Sequence, residues 1–113
     1  MAKVQPHIIR TFFLGFIRVH ILHHAAEEPI FGLEMIRELA THGYQLSPGT
    51  LYPLLHALER EGFLRTEQKV VEGKVRKYYR ATRAGKTALA AALKQARELL
   101  GEIAPTPVRK RGT

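Results

Sequence analysis

The chain has 113 residues, a formal net charge of +8 and no cysteine. That length holds one domain with a modest core, and the lack of thiols excludes disulfides and thiolate metal centres. A pI near 10.2 suits a polyanionic partner, nucleic acid or an acidic membrane surface, without choosing between them.

No apolar run approaches the roughly 20 residues needed to span a bilayer. The N-terminus also lacks the small-residue cleavage site of a signal peptide. A cytoplasmic protein that does not enter the membrane is expected. Residues 1–7 read as a flexible N-terminal arm. Ile8 to Ala26 read as a helix. Its apolar residues Ile9, Phe12, Phe13, Phe16, Ile17, Val19, Ile21 and Leu22 cover more than half of the circumference. So wide an apolar arc needs cover on two sides. Its own domain supplies one; the other asks for a partner chain. Gly15, which weakens a helix by about 1 kcal/mol relative to alanine, marks a candidate helix crossing. His20, His23 and His24 have the spacing to share a helical face, but no carboxylate lies in that turn before Glu27. They read as solvated or interface histidines, and no metal or other cofactor is assigned.

Glu27, Glu28 and Pro29 break the pattern. Phe31 to His42 read as a second helix, with Leu33, Ile36, Leu39 and Ala40 inward and Gly43 as its stop. A turn from Tyr44 leads into Ser47, a good cap for a third helix through its hydroxyl. Pro48 then falls at the first helical position, where its missing N–H is harmless. Leu51, Leu54, Leu55 and Leu58 make an apolar back, and Gly62 ends the helix. Pro53 removes one helical hydrogen bond, which leaves the helix start open between Ser47 and Thr50. Two short helices about a tight turn make a helix-turn-helix.

The front of the third helix carries Gly49, Thr50, Tyr52, Pro53 and His56, and no acid precedes Glu59. A neutral face with a helix N-terminus that attracts phosphate suits the major groove of DNA, about 12 Å wide. A plain core helix with a polar front fits the same residues. The flanking sequence decides between them. Two β-rich runs from Phe63 to Thr82 enclose Gly73 and read as a hairpin. Arg65, Lys69, Lys74, Arg76, Lys77, Arg80 and Arg83 are opposed there only by Glu67 and Glu72. A basic hairpin after a helix-turn-helix is the layout of a winged helix. A solvated edge hairpin that uses lysine against aggregation is the alternative.

Thr82 is placed to cap a last helix, in which Leu89, Leu93, Ala96, Leu100 and Ile103 follow a 4-3-4-3 rhythm. About two heptads are too few to hold a dimer alone, so packing against the aromatic first helix is expected to supply the rest. Alternatively, this stripe closes the intramolecular core. Pro105 and Pro107 end the helix, and residues 105–113 read as a disordered basic tail.

Four stretches carry a family resemblance. They are Phe31 to Ile36, Ser47 to Leu55, Leu58 to Leu64, and Arg76 to Thr82 with its Lys-Tyr-Tyr strand. Together the chain resembles the PadR family of bacterial transcriptional regulators from about Phe13 to Ile103. The single last helix is similar to the short branch of that family. The resemblance implies a mainly α fold with a small β-hairpin, a winged helix-turn-helix over residues 8–82 and a C-terminal dimerisation helix over 83–104. It implies a homodimer on double-stranded operator DNA, usually a repressor, released by a small hydrophobic or phenolic effector. The DNA-contacting residues expected are Ser47, Gly49, Thr50, Tyr52, Pro53, His56, Lys69, Lys74, Arg76 and Lys77. The dimer contacts expected are Ile9, Phe13, Phe16, Leu89, Leu93, Ala96, Leu100 and Ile103. Some family members stack an effector on tryptophan; this chain has none, and Phe12, Phe13 and Phe16 are the candidates instead.

Two other function classes were weighed. A winged-helix protein-interaction module would turn the basic hairpin toward an acidic protein. An enzyme is not expected: Glu59 and Glu61 diverge on their helix, and no nucleophile elbow, phosphate-binding glycine loop or paired metal-ligand motif is present.

Overall fold

The computed structural model describes residues 6–104. The elements are α1 (His7–Glu27), β1 (Ile30–Phe31), α2 (Gly32–Ala40), α3 (Pro48–Arg60), β2 (Leu64–Val71), β3 (Lys74–Ala81) and α4 (Arg83–Ile103). The fold is mainly helical, with one antiparallel sheet of order β1-β3-β2. Among the described residues no helix is long and apolar enough to cross a membrane. The predicted arm is shorter than residues 1–7, because Pro6 is the N-cap of α1 and His7 is already helical. Its remaining residues, 1–5, and the predicted tail, 105–113, lie outside the described residues.

One core joins three helices to the sheet. Ile17, Ile21, Leu22 and Ala25 of α1 meet Met35 and Leu39 of α2 and the four leucines of α3. Leu64, Tyr79 and Ala81 close it from the sheet. Burying a side chain of this size stabilises by about 1.5–3 kcal/mol. The inward stripe of α2 differs from expectation. Leu33 is 43% exposed and Ala40 is exposed while Met35 is buried; the core-facing residues of the helix are Gly32, Met35 and Leu39, at spacings of three and four. Phe31 instead joins Ile30 in a two-residue strand paired with Tyr78 and Tyr79. This third strand was not foreseen; two residues carry no readable alternation.

Both short helices end on a glycine in the left-handed region. Tyr44 N–H donates to the Leu39 carbonyl and Gly43 N–H to that of Ala40, with Gly43 at φ +89°. Phe63 N–H likewise donates to Leu58 and Gly62 N–H to Glu59, with Gly62 at φ +85°. These are paired Schellman closures. Glu72 and Gly73 both have positive φ and form the two-residue turn between β2 and β3, as a type I′ hairpin requires. At Gly15, by contrast, nothing among the described residues lies within 4 Å of where a β-carbon would stand, so no described helix of the chain crosses closely there.

α4 docks by its first turn. Gly85 N–H donates to Thr82 Oγ1 at 3.0 Å, which is the cap the sequence predicts. The Thr82 hydroxyl donates to the Gly62 carbonyl, and Thr82 N–H donates to that of Phe63. Gly85 is the buried residue of α4. Beyond Ala88 and Leu89, which pack on the core edge, the helix runs along α1 with its apolar residues largely uncovered.

Candidate nucleic-acid interface

α3 turns its leucines inward and leaves Ser47, Pro48, Gly49, Pro53 and His56 exposed. It starts at Pro48, with no acidic residue in its first turn. Ser47 is the N-cap residue, but its side chain makes no capping bond. Its carbonyl accepts from the Thr50 and Leu51 amides instead, and its hydroxyl donates to Thr50 Oγ1 at 3.4 Å. That pairing orients both hydroxyls at the mouth of the helix.

Tyr52 departs from its expected place on the open front. It is half-buried and packs on the core edge. Its ring lies against Gly32, where a β-carbon would overlap the hydroxyl. Tyr52 therefore links the start of α2 to α3. Thr50 is also half-buried. The fully open front is thus Ser47, Gly49, Pro53 and His56.

The strand register sorts the wing cations. Lys69 pairs with Arg76, Gln68 with Lys77, and Val70 with Val75. Side chains alternate along a strand, so Lys69, Lys74 and Arg76 share the outer face. Lys77 shares the opposite face with Tyr79 and Ala81, the face that covers the core. Lys74 and Arg76 therefore approach a ligand from one face of the wing and Lys77 from the other. Arg76 is half-buried, with its guanidinium 4.9 Å from the Phe31 ring centroid, and Lys69 lies 5.1 Å from that of Tyr78. Phe31 and Tyr78 pack together at 5.8 Å. Lys77 Nζ likewise lies 5.6 Å from the Tyr79 ring centroid, so cation–π contacts engage three of the predicted phosphate ligands. Arg80 is taken up by Glu67 at 3.4 Å. Lys74 and Lys77 are exposed, and at the tip Val70 and Val75 are 72% and 65% exposed.

A second surface lies along α1 and α4. Ile9, Phe12, Phe16, Leu93, Leu100 and Ile103 are exposed, Phe12 by 58% and Ile103 by 66%. Leu89 and Ala96 are half-buried among them. Two adjoining grooves of about 350 and 460 Å³ run between the helices, and Phe16 lines both. Phe12 lines the larger one. Phe13 lines neither; it packs on the core edge against Tyr44, at 5.5 Å between ring centroids. It is accordingly withdrawn as a groove-lining residue.

The histidines also group differently. His20 and His24 of α1 meet His42, just beyond α2, while His23 is exposed. The fold brings His42 in from a distant position, so helical spacing alone had no means of finding it.

Residues 21–91 match the family model described as the transcriptional regulator PadR-like family. The transcriptional regulator Rv3488 of Mycobacterium tuberculosis (strain H37Rv) is 48% identical over 95 residues, covering 84% of this chain and 89% of that one. A PadR family transcriptional regulator from Eggerthella lenta superposes with a TM-score of 0.71 at 31% identity, covering 85% of this chain and 88% of that one. A PadR-like transcriptional regulator from Bacillus cereus gives a TM-score of 0.68 at 30% identity, covering 77% and 85% respectively.

Proposed function

The chain belongs to the PadR-like family of transcriptional regulators, and from that premise we propose that it is a sequence-specific, homodimeric repressor of duplex DNA, released by a small hydrophobic or phenolic effector. Regulation of transcription through DNA, rather than catalysis, is what the family does. The observation that carries the specific reading is the front of α3: exposed, free of acid in its first turn, and backed by four buried leucines. Such a helix enters a major groove without repelling phosphate and without bending away from its domain.

Ser47, Gly49, Pro53 and His56 meet the groove, with Thr50 at its margin and Tyr52 as their support. None is Arg, Asn or Gln, the usual bidentate readers of base edges. Discrimination therefore rests on thymine methyls, water and DNA shape. Lys74 and Lys77 reach phosphates from the wing, with Lys69 and Arg76 behind them on the aromatic pad.

A second copy of the chain covers the α1–α4 surface. Contiguous apolar exposure of this kind marks an interaction site, and two-fold doubling places two α3 helices about 34 Å apart, one DNA turn. The effector sits between the same helices, beside Phe12 and Phe16. It acts by binding one dimer shape more tightly than the other. Fluorescence anisotropy over a range of salt tests the electrostatic part. Six phosphates neutralised per dimer give a slope of log affinity on log salt near −5; a flat response removes the wing from the interface.

A further inference from the structure

We propose that His20, His24 and His42, with Glu38 beside them, form a site for a divalent transition-metal cation of the zinc class. The potential ligand atoms of the three histidines lie within 4.8 Å of one another. His20 and His24 stand one turn apart on α1, with ring centroids at 6.4 Å, and His42 comes to 5.1 Å from His20. Glu38 Oε2 lies 3.4 Å from His42 Nε2 and 3.8 Å from His24 Nε2. Tetrahedral zinc with nitrogen bonds of about 2.0–2.1 Å needs nitrogens about 3.3 Å apart. The present separations, up to 4.8 Å, exceed this, so the side chains would draw together on binding.

Two further observations point to a ligand. His24 Nε2 is buried and has no hydrogen-bond partner. Buried polar atoms are almost always paired, and the Glu38 carboxylate facing this one stands beyond hydrogen-bond reach at 3.8 Å. The His20 ring is accounted for by contacts with Phe16 and Tyr44; the bare nitrogen of His24 is not. In addition, His24 and Glu38 form part of the wall of a cavity of about 390 Å³ that Glu27, Glu28 and Glu34 also line, with Arg37 as the opposing cation. On a chain of net charge +8, a locally acidic hollow draws cations to this place.

The donor set fixes the class. Three imidazoles and a carboxylate suit zinc, nickel, cobalt or copper, whereas magnesium and calcium take oxygen ligands. A bound ion would tie α1, which carries the exposed apolar surface, to the end of α2, which leads into α3. The site itself does not depend on the DNA reading.

Calorimetric titration of chelator-stripped full-length protein with zinc tests the proposal. One equivalent per chain is expected. His42→Ala, at an exposed position where folding is not at stake, should weaken binding more than about 100-fold, beyond the roughly 10–100-fold usual for an outer partner, and Glu38→Gln, which removes the carboxylate ligand, should weaken it comparably. His23→Ala and His56→Ala should leave it unchanged. Undiminished binding in His42→Ala and His24→Ala, equal loss in His23→Ala, or no binding by the parent protein would each overturn the site.

Discussion

The Tyr52 ring sits against the bare α-carbon of Gly32, where a β-carbon would stand 2.7 Å from Cζ. This contact joins the start of α2 to the front of α3, beside the core packing of Met35 and Leu39 on the α3 leucines. Gly32→Ala should destabilise the fold by about 1–3 kcal/mol, the range for overpacking a tight site. In a Tyr52→Ala background the same change should cost far less, because its opponent is gone. Urea unfolding of the four proteins in a double-mutant cycle measures the coupling.

Gly85 holds a stricter position. A β-carbon there would overlap the carbonyl oxygen of Phe63, and that backbone is also held by the Thr82 amide. Gly85→Ala is expected to cost at least about 3 kcal/mol, at the upper end for overpacking. Thr82→Val should cost about 1 kcal/mol, the usual loss of a cap, and Thr82→Ser should recover most of it. Thermal unfolding of the three variants ranks them.

Stability should also fall with acid through the histidine cluster. His20 is lowered from the ordinary 6.5 first by burial, then by His42, His24 and His23. His24 is lowered first by burial and also by His23 and His42, with Glu38 and Glu27 opposing. The unfolded chain therefore binds protons more readily than the folded one. The stability these groups contribute is present in full above pH 6.5 and is lost as pH falls from there through the lower folded values. Urea midpoints at about pH 7.5 and about pH 5.5, with chelator present, measure the loss. A His20→Gln/His24→Gln variant should show a shallower decline.

The wing separates by face. Lys77→Ala should weaken DNA binding more than Arg76→Ala, because Lys77 is exposed whereas Arg76 is half-buried against Phe31. Both changes should act on all DNA sequences alike, as phosphate contacts do. Binding isotherms on two unrelated duplexes distinguish this from a role in base reading.

What the sequence disclosed was largely local. Gly43, Gly62 and Thr82 announce their helix ends because capping is decided within a few residues. The Glu72-Gly73 turn is legible for the same reason. The facing of Lys77 away from Lys74 and Arg76 was also readable: it differs from them in parity, and parity decides the face of a strand. Other features needed the folded chain. β1 is too short to show a period, Tyr52 finds Gly32 across a turn, and His42 reaches α1 only when α2 folds back. The exposed apolar residues of α1 and α4 were recognisable from their width and rhythm, since two-sided helices have few other uses.

The central claim is that two copies of α3 read one duplex together. Footprinting of the purified protein on genomic fragments tests it most directly. The account predicts protected half-sites related by two-fold symmetry, their centres about 10 base pairs apart. Protection of a single asymmetric site, or uniform protection without sequence preference, would contradict it.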